Sequence, residues 1–266
     1  MLIFAAKTDP GVREGENEDS IGWDEARRLW FVADGMGGHA AGKTASETAK
    51  ASLLAADPAK PTETQLVEAH DAIVAAATAS SELAGMGSTA VVARFMGRTA
   101  EISWVGDSRA YLWRGGKLEQ LTRDHSFIEV LRAQNILTEE QLRADPRGNL
   151  VTQTLGLGDP KPSVITTALR FGDRILLCSD GLNDEVEDIQ IAEILALKDD
   201  VTEAVEELVE TALKNGGRDN TSVIIVEFRG GKGIAFLWRI LESQWLPLIT
   251  GVILAVIFAL VLWAKH

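Results

Sequence analysis

Three apolar runs in this chain stop at an aspartate, and a fourth begins just after one. Leu29-Trp30-Phe31-Val32-Ala33 ends at Asp34-Gly35, Arg174-Ile175-Leu176-Leu177-Cys178 leads through Ser179 into Asp180-Gly181, and Ile102-Ser103-Trp104-Val105 ends at Gly106-Asp107. The fourth is reversed: Asp219-Asn220 precedes Thr221-Ser222-Val223-Ile224-Ile225-Val226. Short apolar runs of this kind are expected as buried strands. If the last strand lies antiparallel to one of the others, its start sits at their ends, and all four carboxylates can meet at one rim. Carboxylates so crowded repel one another unless cations neutralise them. The candidate donors are all oxygen, with no Cys-x-x-Cys or histidine-rich cluster, so magnesium or manganese is the expected guest rather than structural zinc.

Such a site suggests phosphoryl chemistry. Asp34 could bridge two ions with the Gly35 carbonyl on one of them, and Gly35, Gly37 and Gly38 leave the backbone open to close approach. Two ions would lower the pKa of a water between them and stabilise charge on a phosphoryl group under in-line attack. A protein nucleophile is not required. Ser108 and Ser179 lie near the acids, but neither has a Gly-x-Ser-x-Gly elbow or a histidine close in sequence. Cys178, the single cysteine, sits inside an apolar run with no adjacent base and is expected as a buried structural thiol.

The elements that must hold these residues come in clumps. Strands are expected at 2–6, 21–23, 29–33, 90–95, 101–105, 109–113, 118–121, 163–168, 174–178 and 223–228. Helices are expected at 41–56, 62–83, 126–133, 138–144, 188–197 and 202–214. On the second helix Leu66, Ala69, Ile73, Val74 and Ala77 form the apolar face, and His70 reads as a surface or packed residue. The segment 8–19 is a loop too charged to enter a core, and 124–158 a flap beside the site. Strands in direct succession, without regular β-α-β alternation, point to an α+β domain with antiparallel sheets and helices packed outside.

At 266 residues and 46% apolar content the chain has ample material for a core, and a net charge of -13 argues against a nucleic-acid partner. The lone cysteine suits a reducing compartment. Met1–Ala6 is too short for a signal-peptide core. From Leu246 to Ala264 no residue is charged, a length that spans a bilayer, and Trp245 and Trp263 bracket it. Residues 246–264 are therefore expected as a transmembrane tail anchor, joined by a 230–245 linker and juxtamembrane segment to a 1–229 domain. Arg229, Lys232 and Arg239 place that domain on the cytoplasmic face of the inner (plasma) membrane.

Taken in order, Arg13-Glu14-Gly15-Glu16-Asn17-Glu18-Asp19, Val32-Ala33-Asp34-Gly35-Met36-Gly37-Gly38-His39, Gly87-Ser88-Thr89, Val105-Gly106-Asp107-Ser108-Arg109, Leu121-Thr122-Arg123-Asp124-His125, Ser179-Asp180-Gly181-Leu182 and Arg218-Asp219-Asn220-Thr221 resemble the metal-dependent PPM (type 2C) serine/threonine phosphatases of bacteria. The resemblance covers about residues 2–228 and implies a four-layer αββα sandwich of two antiparallel sheets. It also implies that Asp34 bridges two Mn2+ or Mg2+ ions, Gly35 gives its carbonyl, Asp180 and Asp219 each hold one ion, and Glu18 acts through water. Asp107 with Asp180 matches the position of a third, weaker ion, and Arg13 that of the phosphate clamp, a role suited to a forked guanidinium.

The substrates implied are phosphoserine and phosphothreonine in proteins, the targets of a bacterial serine/threonine kinase. Met36 departs from the pattern of many eukaryotic relatives, which carry a histidine directly after Asp-Gly; proton donation by His39 is left open. Asn220 either orients Asp219 or caps the turn, and His125 either lines the flap or is a turn residue. A catalytically silent membrane-tethered adaptor and a small-molecule phosphatase are the alternative functions.

Overall fold

The computed structural model describes residues 1–12, 15–38, 40–134, 137–143, 147 and 150–230. The expected linker and membrane anchor from residue 231 onward lie outside the described residues, as do Arg13 and His39. Among the described residues, no helix is long and apolar enough to cross a membrane.

The chain opens with strands β1 (Leu2–Asp9), β2 (Ser20–Asp24), β3 (Leu29–Ala33) and the two-residue β4 (Gly35–Met36). Helices α1 (Ala40–Ala55) and α2 (Thr62–Ala79) follow, then the short β5 (Gly87–Ser88), β6 (Ala90–Met96), β7 (Thr99–Val105), β8 (Arg109–Arg114) and β9 (Lys117–Gln120). Next come α3 (Phe127–Gln134), α4 (Glu139–Arg143), β10 (Ser163–Ala168), β11 (Arg174–Cys178), α5 (Asp180–Asn183), α6 (Asp188–Leu197), α7 (Val201–Asn215) and β12 (Thr221–Phe228).

Two five-stranded sheets result, one ordered β1-β12-β11-β8-β9 and the other β10-β7-β6-β3-β2, with every neighbouring pair antiparallel. Strand alternation then builds the layers. On β3, Trp30 and Val32 point into a core shared with Ile175, Leu177, Ile224 and Val226 of the facing sheet. Leu29, Phe31 and Ala33, of opposite parity, pack instead on Ala45, Ala49 and Leu53 of α1 and Leu66, Ala69 and Ile73 of α2. Leu176, Cys178, Val223 and Ile225 do the same against α6 and α7. The order helix, sheet, sheet, helix agrees with the expected sandwich, and runs that read as continuously apolar do so because both of their faces are covered.

Three local expectations need correction. The second helix ends at Ala79, not Leu83: Ser80 is extended (φ -143°, ψ 128°) and a 3-10 turn spans Ser81–Leu83. Val74, placed on its apolar face, is 39% exposed, because the buried stripe is confined to Leu66, Ala69 and Ile73. The segment 8–19 is not all excluded from the interior. Thr8 and Asp9 belong to β1, and Asp19 is buried.

Candidate metal centre

Each functional carboxylate sits where a strand gives way to a turn that fixes its backbone. At the end of β3, the Asp34 carbonyl accepts from Thr89 N (2.8 Å) and Ser88 Oγ (3.0 Å), while Asp34 N donates to Thr89 Oγ1 (3.2 Å). Both backbone groups are thus occupied by Ser88 and Thr89, which fixes the backbone from which Asp34 lines the cavity described below. Gly35 N donates to the Glu18 carbonyl (3.2 Å), which also accepts from Ser46 Oγ (2.5 Å) on α1. A methyl group at Gly35 would overlap the Gly42 carbonyl oxygen, and one at Gly42 would overlap Glu18 Oε2. Those two glycines let α1 start directly behind Asp34 and Glu18.

The other sheet presents its acids in the same direction. β11 and β12 are antiparallel, so Asp180 follows the end of one beside the start of the other, after Asp219. A methyl at Gly181 would overlap the Asn220 carbonyl oxygen, so the two turns touch. Gly106 holds φ at +103°, a conformation L side chains rarely adopt, and so turns Asp107 out of β7. His125 clamps that peptide from both sides: Gly106 N donates to its Nδ1 (3.2 Å) and its own N donates to the Gly106 carbonyl (2.9 Å). Nδ1 is therefore the acceptor, and Nε2 carries the proton toward Ser163 Oγ at 2.9 Å. His125 is neither flap lining nor a plain turn residue but a support for the Asp107 loop.

Glu18, Asp34, Gly35, Asp107, Asp180 and Asp219 line one cavity of about 360 Å³, together with Met36, Thr89, Val151 and Asn220. The structure thus brings together all the expected ligands, leaving Arg13 and His39 outside the described residues. Among the described residues, no trio of His, Cys, Asp and Glu is drawn in as a ready-made ion cage; the carboxylates line an open cavity instead. Asn220 orients Asp219 through its backbone, whose N donates to Asp219 Oδ1 (2.8 Å), and its side chain does more. Its Oδ1 accepts from Glu18 N (2.7 Å) and its Nδ2 donates to the Pro10 carbonyl (2.9 Å), so it ties the segment before β2 to the start of β12. Ser108 pairs with Thr89 Oγ1 at 2.7 Å and His70 accepts from Gly156 N at 2.9 Å, so both act structurally. Cys178 is fully buried and its thiol is pushed up to about 12, chiefly by burial, which leaves it inert as a nucleophile.

Sequence reasoning missed Asp19. Its Oδ2 accepts from Ser179 Oγ (2.7 Å), and Ser179 Oγ accepts in turn from Ser222 N (2.9 Å). Its Oδ1 is buried with no hydrogen-bond partner. Burial raises the Asp19 carboxyl to about 7, opposed by Ser222 and Ser179 and reinforced by the charge of Asp219. The available signal was position: Asp19 directly follows Glu18 and precedes a strand. Ser179→Ala should cost about 1–3 kcal/mol by stripping a buried acid of its donor; a urea midpoint equal to that of the parent protein would refute the role given to Ser179.

Burial likewise raises Asp34 and Asp180 well above the usual carboxylate range. For Asp34 the charges of Asp19, Asp180, Asp107 and Asp219 add to it, and for Asp180 those of Asp107, Asp184, Asp219 and Asp19. Burial, then Asp124, brings Asp107 to about 6. The arginines nearby in sequence are committed elsewhere, Arg109 to Asp124 (2.7 Å) and Arg218 to Glu185 (2.7 Å). A cluster of mutually repelling, arginine-poor carboxylates with hard oxygen donors and an unpartnered buried Asp19 Oδ1 fits divalent ions.

The sequence profile of the family described as Protein phosphatase 2C matches residues 11–129. The serine/threonine phosphatase Stp of Listeria monocytogenes is 35% identical over 238 residues, covering 83% of this chain and 94% of that protein. The chain belongs to the protein phosphatase 2C family. The serine/threonine protein phosphatase PstP of Mycobacterium tuberculosis is 37% identical over 234 residues, 85% of this chain, and there the match spans 45% of PstP's length. A solved structure of the PstP catalytic domain in complex with two manganese ions superposes with a TM-score of 0.76 at 36% identity, covering 85% of this chain and 97% of that one. Family membership accounts for the ordered set of motifs, since those motifs are the turns that shape the cavity.

Proposed function

We propose that this chain is a metal-dependent phosphatase of phosphoserine and phosphothreonine in proteins, working as a membrane-tethered enzyme. One observation carries the reading: six oxygen-donating residues from both sheets and from the turn before β2 line one cavity. Asp34 would hold both ions and the Gly35 carbonyl one of them, Asp180 one and Asp219 the other, with Glu18 acting through water and Asp107 with Asp180 beside a third, weaker ion. Two Mn2+ or Mg2+ ions would supply there a water of lowered pKa and positive charge for the phosphoryl oxygens.

The chain's own residues do the rest. Thr89 and Ser88 keep the Asp34 backbone from rotating, and Ser179 keeps Asp19 in place beside it. Arg13 is assigned to the substrate phosphate, where a forked guanidinium can grip two oxygens. Met36 lines the cavity and has no proton to give, so leaving-group protonation falls to water or to His39. Phosphorylated proteins, the products of a serine/threonine kinase, are the substrate class. The names of the relatives support this choice.

The test is an assay of the full chain with phosphothreonine and phosphoserine peptides in Mn2+. Turnover that chelator abolishes supports the proposal; manganese bound without turnover favours the silent adaptor, and turnover confined to small phosphate esters favours the third reading. The sequence supports a domain at 1–229, a 230–245 juxtamembrane stretch and an anchor at 246–264, holding the domain at the cytoplasmic face of the plasma membrane. Deleting 234–266 is expected to move the protein to the soluble fraction with kcat unchanged. Continued sedimentation with lipid would rule out the anchor.

A further inference from the structure

The strands that end in the metal-site carboxylates carry arginines at their other ends. β3, before Asp34, is preceded by Arg28; β7, before Asp107, is preceded by Arg98; the turn before β11 holds Arg170; and β12, which begins after Asp219, is followed by Arg229. β12 is eight residues long, so the two ends lie roughly 26 Å apart. These arginines belong to one connected surface. Phe95 N donates to the Arg28 carbonyl (2.9 Å), Leu169 N to the Arg98 carbonyl (2.8 Å), and Arg229 N to the Met1 carbonyl (2.8 Å). The Arg98 guanidinium lies over the Phe171 ring (5.2 Å to its centroid), which stacks on Phe228 at 5.1 Å.

Arg28, Arg98, Arg170 and Arg229 are exposed. So are the apolar Met1, Trp23 and Met96 around them. Of the acids at this end, Asp173 pairs with Arg114 (2.6 Å), Glu227 with Arg174 (3.3 Å) and Arg229 (2.8 Å), and Asp24 with Arg27 (3.9 Å), while Glu25 is exposed in the same turn as Arg28. In a chain of net charge -13, arginines outnumber the acids in the turns at this end, while the opposite end concentrates the carboxylates. The last described residue, Gly230, also leaves from here, and the sequence continues with Lys232 and Arg239 toward the apolar run.

We infer that the arginine-bearing end of the sandwich docks on an anionic lipid bilayer and holds the carboxylate cavity on the side away from the membrane. Exposed cations beside exposed Trp and Met match a headgroup surface, where basic residues meet anionic lipid and apolar side chains meet the acyl boundary. The inference rests on the tail-anchor reading for how the domain reaches the bilayer. It adds the orientation. A substrate then enters from solution, and the acidic rim is kept from like-charged headgroups.

The experiment uses the full chain with a fluorophore on Met96→Cys, at the arginine end, or on Glu82→Cys, beyond α2. Cys178 is buried and does not compete for the label. Each form is mixed with vesicles of phosphatidylcholine alone or with phosphatidylglycerol added, both carrying a headgroup-linked quencher. With anionic lipid, quenching at position 96 should exceed that at 82 by about threefold or more, and high salt should erase the excess. Combining Arg28→Glu, Arg98→Glu and Arg170→Glu should bring the ratio to about one with turnover unchanged, since none of these residues lines the cavity.

Flotation on phosphatidylcholine alone reads the tail separately. Floating chain with equal quenching at both positions overturns the docking surface and leaves the anchor standing. Flotation only with anionic lipid, with quenching concentrated at 96, supports the surface and overturns the anchor. Failure to float on either lipid overturns both.

Discussion

Asp180→Asn is expected to reduce kcat by about a thousandfold or more while raising the melting temperature of the metal-free protein. The two effects have one cause. Asp180 is a carboxylate in a site where burial, Asp107, Asp184, Asp219 and Asp19 all oppose its charge. With an ion bound, that charge is needed, and the amide cannot replace it. Without one, the charge is a liability that the substitution removes. A gain of one or two kcal/mol corresponds to about 2–8 °C in a domain of this size. Scanning calorimetry in chelator and in Mn2+, beside a peptide phosphatase assay, reads both. Retained turnover, or a lowered melting temperature in chelator, would contradict the assignment of Asp180 to an ion.

Stability against pH should reverse sign when metal is added. Burial pushes Asp19 up to about 7 and Asp107 up to about 6 in the folded protein, against 3.8 for an ordinary aspartate, and Asp34 and Asp180 are also raised well above that value. Between the unfolded and folded values the folded state holds protons that the unfolded state has released. In chelator, stability therefore falls as pH rises from about 4 through about 7. From pH 5 to pH 7 the loss is on the order of several kcal/mol.

His125 works against this trend, because burial lowers its pKa and the neutral ring is the form that accepts from Gly106, but it is a single group. Divalent ions compete with those protons for the same oxygens, so in saturating Mn2+ stability should rise with pH over the same window. Parallel melting profiles with and without Mn2+ would mean that these acids do not hold the ion.

Gly35, Gly42 and Gly181 show how narrow the geometry is. Gly35→Ala would drive a methyl into the backbone of α1, and Gly181→Ala would drive one into the turn carrying Asn220, so neither can be relieved by rotating a side chain. Gly42→Ala meets chiefly the Glu18 carboxylate, which can swing away, with the Gly35 carbonyl oxygen next at 3.0 Å, and is expected to perturb Glu18 before stability.

Much of this arrangement was legible in the residues themselves. Apolar runs ending in Asp34, Asp107 and Asp180, and one starting after Asp219, determined strand positions, because a strand's end is fixed wherever its apolar pattern stops, and the meeting of the four acids followed once β12 was found antiparallel to β11. Pattern also gave an α+β domain with helices packed outside antiparallel sheets, and the four-layer αββα order was what the family resemblance implied. Only tertiary structure decided the roles of Asp19, Asn220, His125 and Thr89. Asp19 reads as one more charge in an acidic loop until Ser179 and Ser222, from sequence-distant strands, close around it. His125 acquires its task only because the segment after β9 folds back on Gly106. These roles depend on partners separated by up to 210 residues, as for Asn220 and Pro10, and composition and periodicity describe only what lies within a few residues along the chain.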